Sequence, residues 1–160
     1  MLSVTDAAHR YLDRLLPSPD AGSSIPASAY NVAAQLLSRE EGVDPAEATV
    51  RTHVGDGVWL TLSAARMSSN IPASISDIAV TIELTSASDR LDLFARSHAL
   101  TGRETDVLHQ VATGADTRTT ARALGITELT VQDHLRAIFA KTSVRSRGEL
   151  LARALGTVRR

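Results

Sequence analysis

The sequence predicts two dissimilar halves, an α+β N-terminal region with a short antiparallel sheet followed by an all-α four-helix domain. Three observations carry this. From Ala48 onward apolar residues alternate with polar ones, the period of a strand with one buried face, whereas beyond Leu100 they recur at helical spacing. Gly, Pro and Ser punctuate the first half between these runs. The charge also divides. Residues 1–99 hold seven basic and twelve acidic side chains, a balance of −5, and residues 100–160 hold ten and six, a balance of +4, within a total of −1. The expected organisation is a region over 1–85, a linker helix over 86–99 and a domain over 100–160.

Taken in order, the first helix is expected from Thr5 to Leu16, with Tyr11, Leu12, Leu15 and Leu16 on one side. PSPDAGSSIP then reads as a loop, in which Ser23, Ser24 and Ser28 suit loop and cap positions better than a nucleophile. A second helix is expected over Ala27 to Glu41, with Val32, Leu36 and Leu37 inward, ended by Gly42. Val50, Thr52 and Val54 then face one way and Arg51 and His53 the other. Gly55-Asp56-Gly57 turns the chain, and Val58, Leu60 and Leu62 alternate with Trp59 and Thr61, which makes a β-hairpin. The Gly-Asp-Gly run lacks the frame of a phosphate-binding loop and suits a hairpin turn. After a polar loop over Met67 to Ser74, Ile78, Val80, Ile82 and Leu84 form the apolar face of a third strand. Met1 to Val4 is a candidate fragment of a fourth. Ala87 to Ala99, carrying Leu91, Leu93, Phe94 and His98, reads as the connecting helix, suited to relaying a change between domains or to packing at a dimer seam.

In the C-terminal half, Thr101 with Glu104 and Ser146 with Glu149 have the T/S-x-x-E spacing of capping boxes and place the starts of the first and fourth helices. Val107, Leu108 and Val111 give the first helix its buried stripe; Leu150, Leu151 and Leu155 do this for the last. Between them, a helix over Thr117 to Leu124 ends at Gly125, which takes a left-handed conformation without a Cβ clash. Ile126 is the turn residue and Thr127 the N-cap of a helix running through Lys141. Val131, Leu135 and Ile138 face the core, which leaves Gln132, Asp133 and Arg136 on the opposite side. A helix fits the major groove of B-DNA, where such polar groups reach base edges.

On these residues the stretch resembles the DNA-binding domain of the LuxR/GerE family of bacterial transcription regulators, a four-helix module of helix-turn-helix type. The matching residues are Leu100, Thr101, Arg103, Glu104, Val107, Leu108, Ala112, Gly114, Ala121, Leu124, Gly125, Ile126, Thr130, Val131, His134, Ile138, Lys141, Val144, Arg145, Arg147, Glu149 and Leu150. The resemblance implies a sequence-specific transcription regulator that binds double-stranded DNA as a homodimer, with RNA polymerase a further partner to consider. It also implies that the last helix, through Leu150, Leu151 and Leu155, supplies a dimer contact. Thr119 and Thr120 stand where the family has Glu and an aliphatic residue, and Thr142 and Ser143 replace Leu-Gly. Arg136 and Gln132 are the expected base readers, since guanidinium pairs with guanine and carboxamide with adenine; Asp133 can accept from cytosine N4 and narrow sequence choice. Thr127, Thr130, Lys141 and Arg118 complete the expected DNA-binding set, the last three as phosphate contacts, with Arg122, Arg145 and Arg147 also available to phosphates.

The order helix, helix, hairpin, strand, with NVAAQLL before a hairpin containing WLTL, resembles part of a PAS-like sensor domain that precedes LuxR-type modules in some regulators. PAS domains have five strands. The expectation is therefore a PAS-like fragment that completes its sheet with a partner, or a different fold with an open edge. No small-molecule ligand follows from it.

The sequence has no cysteine, which excludes disulfides and thiolate chemistry. His9, His53, His98, His109 and His134 fall on separate elements without ligand spacing, so neither a metal nor a cofactor is expected. No acid, base and nucleophile converge as an enzyme requires. Apolar runs are too short to span a bilayer and the first twenty residues are charged, so the expected location is the cytoplasm. Two other readings stand beside the regulator: a sigma-factor-like promoter reader, disfavoured because KTSVRSRGEL continues the LuxR/GerE pattern, and a protein-interaction module whose helix-turn-helix no longer binds DNA.

Overall fold

A computed structural model describes residues 4–15, 25–55, 57–67 and 77–156. The chain divides into two compact units at Thr85 and Ser86.

The first unit contains α1 (Asp6–Leu15), α2 (Ala27–Glu40), β1 (Thr49–His53), β2 (Trp59–Arg66) and β3 (Ile78–Leu84), with the strands antiparallel in the order β1-β2-β3. The alternation that predicts the hairpin sets its register: Val50 opposes Leu62 and Thr52 opposes Leu60. Leu60 and Leu62 are fully buried and form one core with Val58, Ala48 and the α2 residues Ala29 and Val32. Tyr11 and Leu15 of α1 pack against this core as expected, and Leu16 lies outside the described residues. Gly55 and Gly57 have φ of +89° and +73°, values L side chains seldom adopt, so the turn depends on both; Asp56 lies outside the described residues.

Two inward expectations are corrected. Leu37 is 41% exposed, because five helical positions from Val32 turn it about 140° away while Leu36 stays close to the buried stripe. Leu84 ends an edge strand and is exposed. Among the described residues the sheet has three strands, and both outer ones are edges. Of the candidate fourth strand, Val4 is not in a strand and Met1 to Ser3 lie outside the described residues, as do Ser23, Ser24 and most of both polar loops.

The second unit contains α3 (Ala87–Ser97), α4 (Gly102–Ala112), α5 (Thr117–Leu124), α6 (Glu128–Thr142) and α7 (Arg147–Leu155). The helix expected as a linker belongs to this unit. Leu91, Phe94 and Ala95 of α3 are buried in one core with Val107, Leu108, Val111, Val131, Leu135, Ile138 and Leu150. The His109 ring also meets Asp92 across α3 and α4 at 2.8 Å. With those three apolar side chains spent on its own core, α3 leaves half-buried Leu93 and its polar face outside that core, and half-buried His98 caps its end.

Caps define the helix starts. Thr101 Oγ1 accepts from the Glu104 N–H and Glu104 Oε2 from the Thr101 N–H, a complete capping box. The second box is only half formed. Ser146 Oγ accepts from the Glu149 N–H, but the Glu149 carboxylate takes the Arg145 N–H and the Arg153 guanidinium. Asp116 caps α5 by accepting from the Thr119 N–H, which holds its carboxyl below the usual range. Gly125 ends α5 in the left-handed region at φ +65°.

The departures from the family pattern have different consequences. Thr142 is buried, but its hydroxyl donates to the Ile138 carbonyl at 2.7 Å. Thr120 is fully buried and its hydroxyl has no hydrogen-bond partner among the described residues. Ser143 closes α6 in the left-handed region at φ +54°, where a Cβ is disfavoured. Thr120→Val is therefore expected to raise the free energy of unfolding by about 1 kcal/mol, by removing an unpaired buried hydroxyl. Ser143→Gly should give a gain of about the same size. Thermal melting followed by helical circular dichroism checks both, and a lower melting temperature for Thr120→Val would mean that its hydroxyl is satisfied.

Candidate nucleic-acid interface

α6 is positioned by its apolar side. Val131 and Ile138 are fully buried and Leu135 nearly so, which fixes the rotation of the helix about its axis. Its start is set by Thr127, whose hydroxyl accepts from the Thr130 N–H at 3.1 Å and lies 2.8 Å from the Thr130 hydroxyl. Gln132, Asp133 and Arg136 are all exposed on the opposite side. The Arg136 guanidinium donates to Asp133 Oδ1 at 2.6 Å, so the two charges sit on one turn as a solvent-facing pair. Leu129 lies one turn earlier on the same strip and is 64% exposed, a residue the sequence reading passed over. Its spacing of three from Gln132 and seven from Arg136 is the signal that could have found it.

The angle of α6 against α4 is held by a polar lock. Glu104 Oε2 accepts from the Lys141 ammonium at 2.6 Å, and the same ammonium donates to the Ala99 carbonyl at 3.1 Å. The Glu104 side chain is 7% exposed and that of Lys141 35%. Burial pushes the Glu104 carboxyl upward. The Lys141 hydrogen bond, the Thr101 N–H and hydroxyl, and the attraction of the ammonium outweigh it, and the carboxyl lies below its ordinary value.

This lock involves one expected contact. Lys141, expected as a phosphate contact, donates two of its ammonium hydrogens within the unit. Arg147 also donates within it, to the Ala115 carbonyl at 3.1 Å. Thr127 and Thr130 are hydrogen-bonded to each other at the start of α6. Arg118, Arg122 and Arg145 remain on exposed positions. Of the three leucines assigned to dimer contact, Leu150 is fully buried in the core and cannot serve; Leu151 and Leu155 are half-buried.

A polar-faced helix is thus clamped behind a shorter helix and a left-handed glycine turn, with its exposed strip turned from the core. Residues 98–154 match the bacterial regulatory proteins of the luxR family, GerE. This stretch is a LuxR-family helix-turn-helix domain. The chain is 46% identical over 54 residues to a monoamine regulon transcriptional regulator of Klebsiella aerogenes, covering 34% of this chain and 24% of that protein. It is 48% identical over 48 residues to the nitrate/nitrite response regulator protein NarP of Escherichia coli (strain K12), covering 30% and 22% respectively. The similarity therefore spans less than a quarter of the length of either relative. Among the described residues no group of three or more histidines and carboxylates could hold a metal, and no helix is long and apolar enough to cross a membrane.

Removing the ammonium leaves a buried carboxylate unpaired, so Lys141→Ala is expected to lower the free energy of unfolding of the LuxR-family domain by about 1–3 kcal/mol. A urea titration followed by helical circular dichroism measures it, and a change near zero would mean that the pair does not hold α6. The depressed carboxyl also sets a pH dependence. Its contribution is present above about pH 4.3, the ordinary unfolded value, and is lost as pH falls through the lower folded value. Stability should fall more steeply below about pH 4.5 in the natural protein than in Glu104→Gln, and parallel acid profiles would contradict this.

Proposed function

We propose that the chain is a sequence-specific DNA-binding transcriptional regulator that reads the major groove with α6. The observation that carries this reading is the exposed strip of Gln132, Asp133 and Arg136 on a helix whose opposite side is fully buried. The LuxR-family match over residues 98–154 supports it, as do the two relatives named as regulators. In this reading Arg136 and Gln132 meet base edges and Arg118, Arg122 and Arg145 meet phosphates. Asp133 has two uses, as an acceptor for cytosine N4 or as the group that orients the Arg136 guanidinium.

The regulator acts as a homodimer, since a two-fold arrangement lets two copies of α6 address two half-sites. Half-buried Leu151 and Leu155 on α7 are the contacts assigned to it. The first unit serves as a PAS-like sensing or dimerisation region, a role supported by its helix-covered antiparallel sheet with two edge strands.

Salt titration of binding to duplex DNA tests the reading against the interaction module: binding should weaken steeply as salt rises, and no binding at low salt would favour the module. Arg136→Ala should cost about 1–3 kcal/mol on the preferred sequence and little on random DNA, whereas Arg118→Ala should weaken both alike. Equal losses on both DNAs for Arg136→Ala would contradict the division between reading and anchoring.

A further inference from the structure

We infer that Leu129 is a specificity residue that packs on the C5-methyl group of a thymine in the bound site. The inference rests on the major-groove reading proposed above and adds to it a contact of a different chemical kind.

Leu129, Gln132, Asp133 and Arg136 recur at i, i+3, i+4 and i+7, so all four share one strip of α6. Three are polar and have evident partners in a groove. The fourth can neither donate nor accept a hydrogen bond. Among the described residues of its unit, Leu129 is the one large apolar side chain left exposed. The helix start does not explain it. An apolar staple at this cap would use Ile126 and Val131, and those two do pack inward, Val131 fully buried and Ile126 partly so against the same core. Leu129 therefore stands outside both the core and the cap, on the N-terminal turn, the part of a reading helix that lies nearest the base edges.

The floor of the major groove offers one apolar feature among its hydrogen-bonding groups, the methyl of thymine. An aliphatic side chain pressed against cytosine N4 or adenine N6 would strip water from a polar group without replacing its hydrogen bond, so Leu129 favours thymine and disfavours the alternatives. Seven residues of helix place it about 10 Å from Arg136 along the axis. The thymine should lie within about three base pairs of the guanine assigned to Arg136, given a rise of about 3.4 Å per pair.

The test uses the full chain and a duplex selected by it from a random pool. Each thymine is replaced singly by deoxyuridine, which removes the methyl and leaves base pairing unchanged. Binding by the natural protein should weaken about four-fold at one position per half-site, the effect of one buried methyl. In Leu129→Ala the same replacement should have no effect, and the salt dependence should be unchanged because no charge is lost. Selected sites with no thymine sensitive to the replacement would overturn the inference, as would a sensitivity that persists in Leu129→Ala, while the major-groove reading would survive either result. If the full chain binds no duplex even at low salt, the major-groove reading itself fails and this inference with it.

Discussion

The Glu104 carboxylate joins α4 and α6 through a largely buried polar tie. One of its oxygens accepts both the Thr101 N–H, which starts α4, and the Lys141 ammonium, which comes from the last turn of α6. Taking an unpaired carboxylate out of water is costly, so the group is tolerated only where both donors arrive together. The arrangement is therefore conditional on the angle between α4 and α6. Apolar packing of Val107 and Leu108 against Val131 and Ile138 would accept several angles at similar cost; a hydrogen-bonded ion pair accepts few. A helix that presents one strip to a rigid polymer, as proposed for α6, would gain from that restriction.

The same lock separates what could be read in the sequence from what could not. Local chemistry was legible. Gly125 ends α5 and Thr127 caps α6 because both effects act within one turn of chain. The hairpin followed from alternation and two glycines, again over a short stretch. The identity of the polar face of α6 followed from the spacing of Val131, Leu135 and Ile138. What escaped was mostly non-local. Lys141 pairs with a carboxylate 37 residues away, and nothing in the spacing of either helix joins them. Arg147 reaches a carbonyl 32 residues back. Leu150 and Leu151 are adjacent and chemically alike, so composition could not say that the core takes one and leaves the other half-open.

α3 shows a further reason for such misses. Its apolar residues have the helical period that a linker helix and a core helix share. Periodicity establishes that one face must be covered without naming the cover. Here the cover is α4 and α7, so α3 shares one core with the helices that follow it. The exposed Leu37 of α2 is the opposite case, an aliphatic residue next to a buried one that sits too far around the helix to follow it inward.

With Lys141 and Arg147 engaged internally, charge on the outer surface of the domain is thinner than the count of basic residues suggests. The exposed strip of α6 is close to neutral, because Asp133 offsets Arg136 at 2.6 Å. On the proposed reading, attraction to a polyanion falls to exposed arginines off the strip, Arg118, Arg122 and Arg145 among them, and the strip is assigned direction and choice. An unpaired Arg136 would add affinity for any phosphate within reach. Held by Asp133, its guanidinium has fewer orientations and less net charge to offer a wrong site, and a side chain fixed before contact loses less freedom on binding. If α6 reads a groove as proposed, the Asp133 carboxylate suits a surface that discriminates more than it adheres.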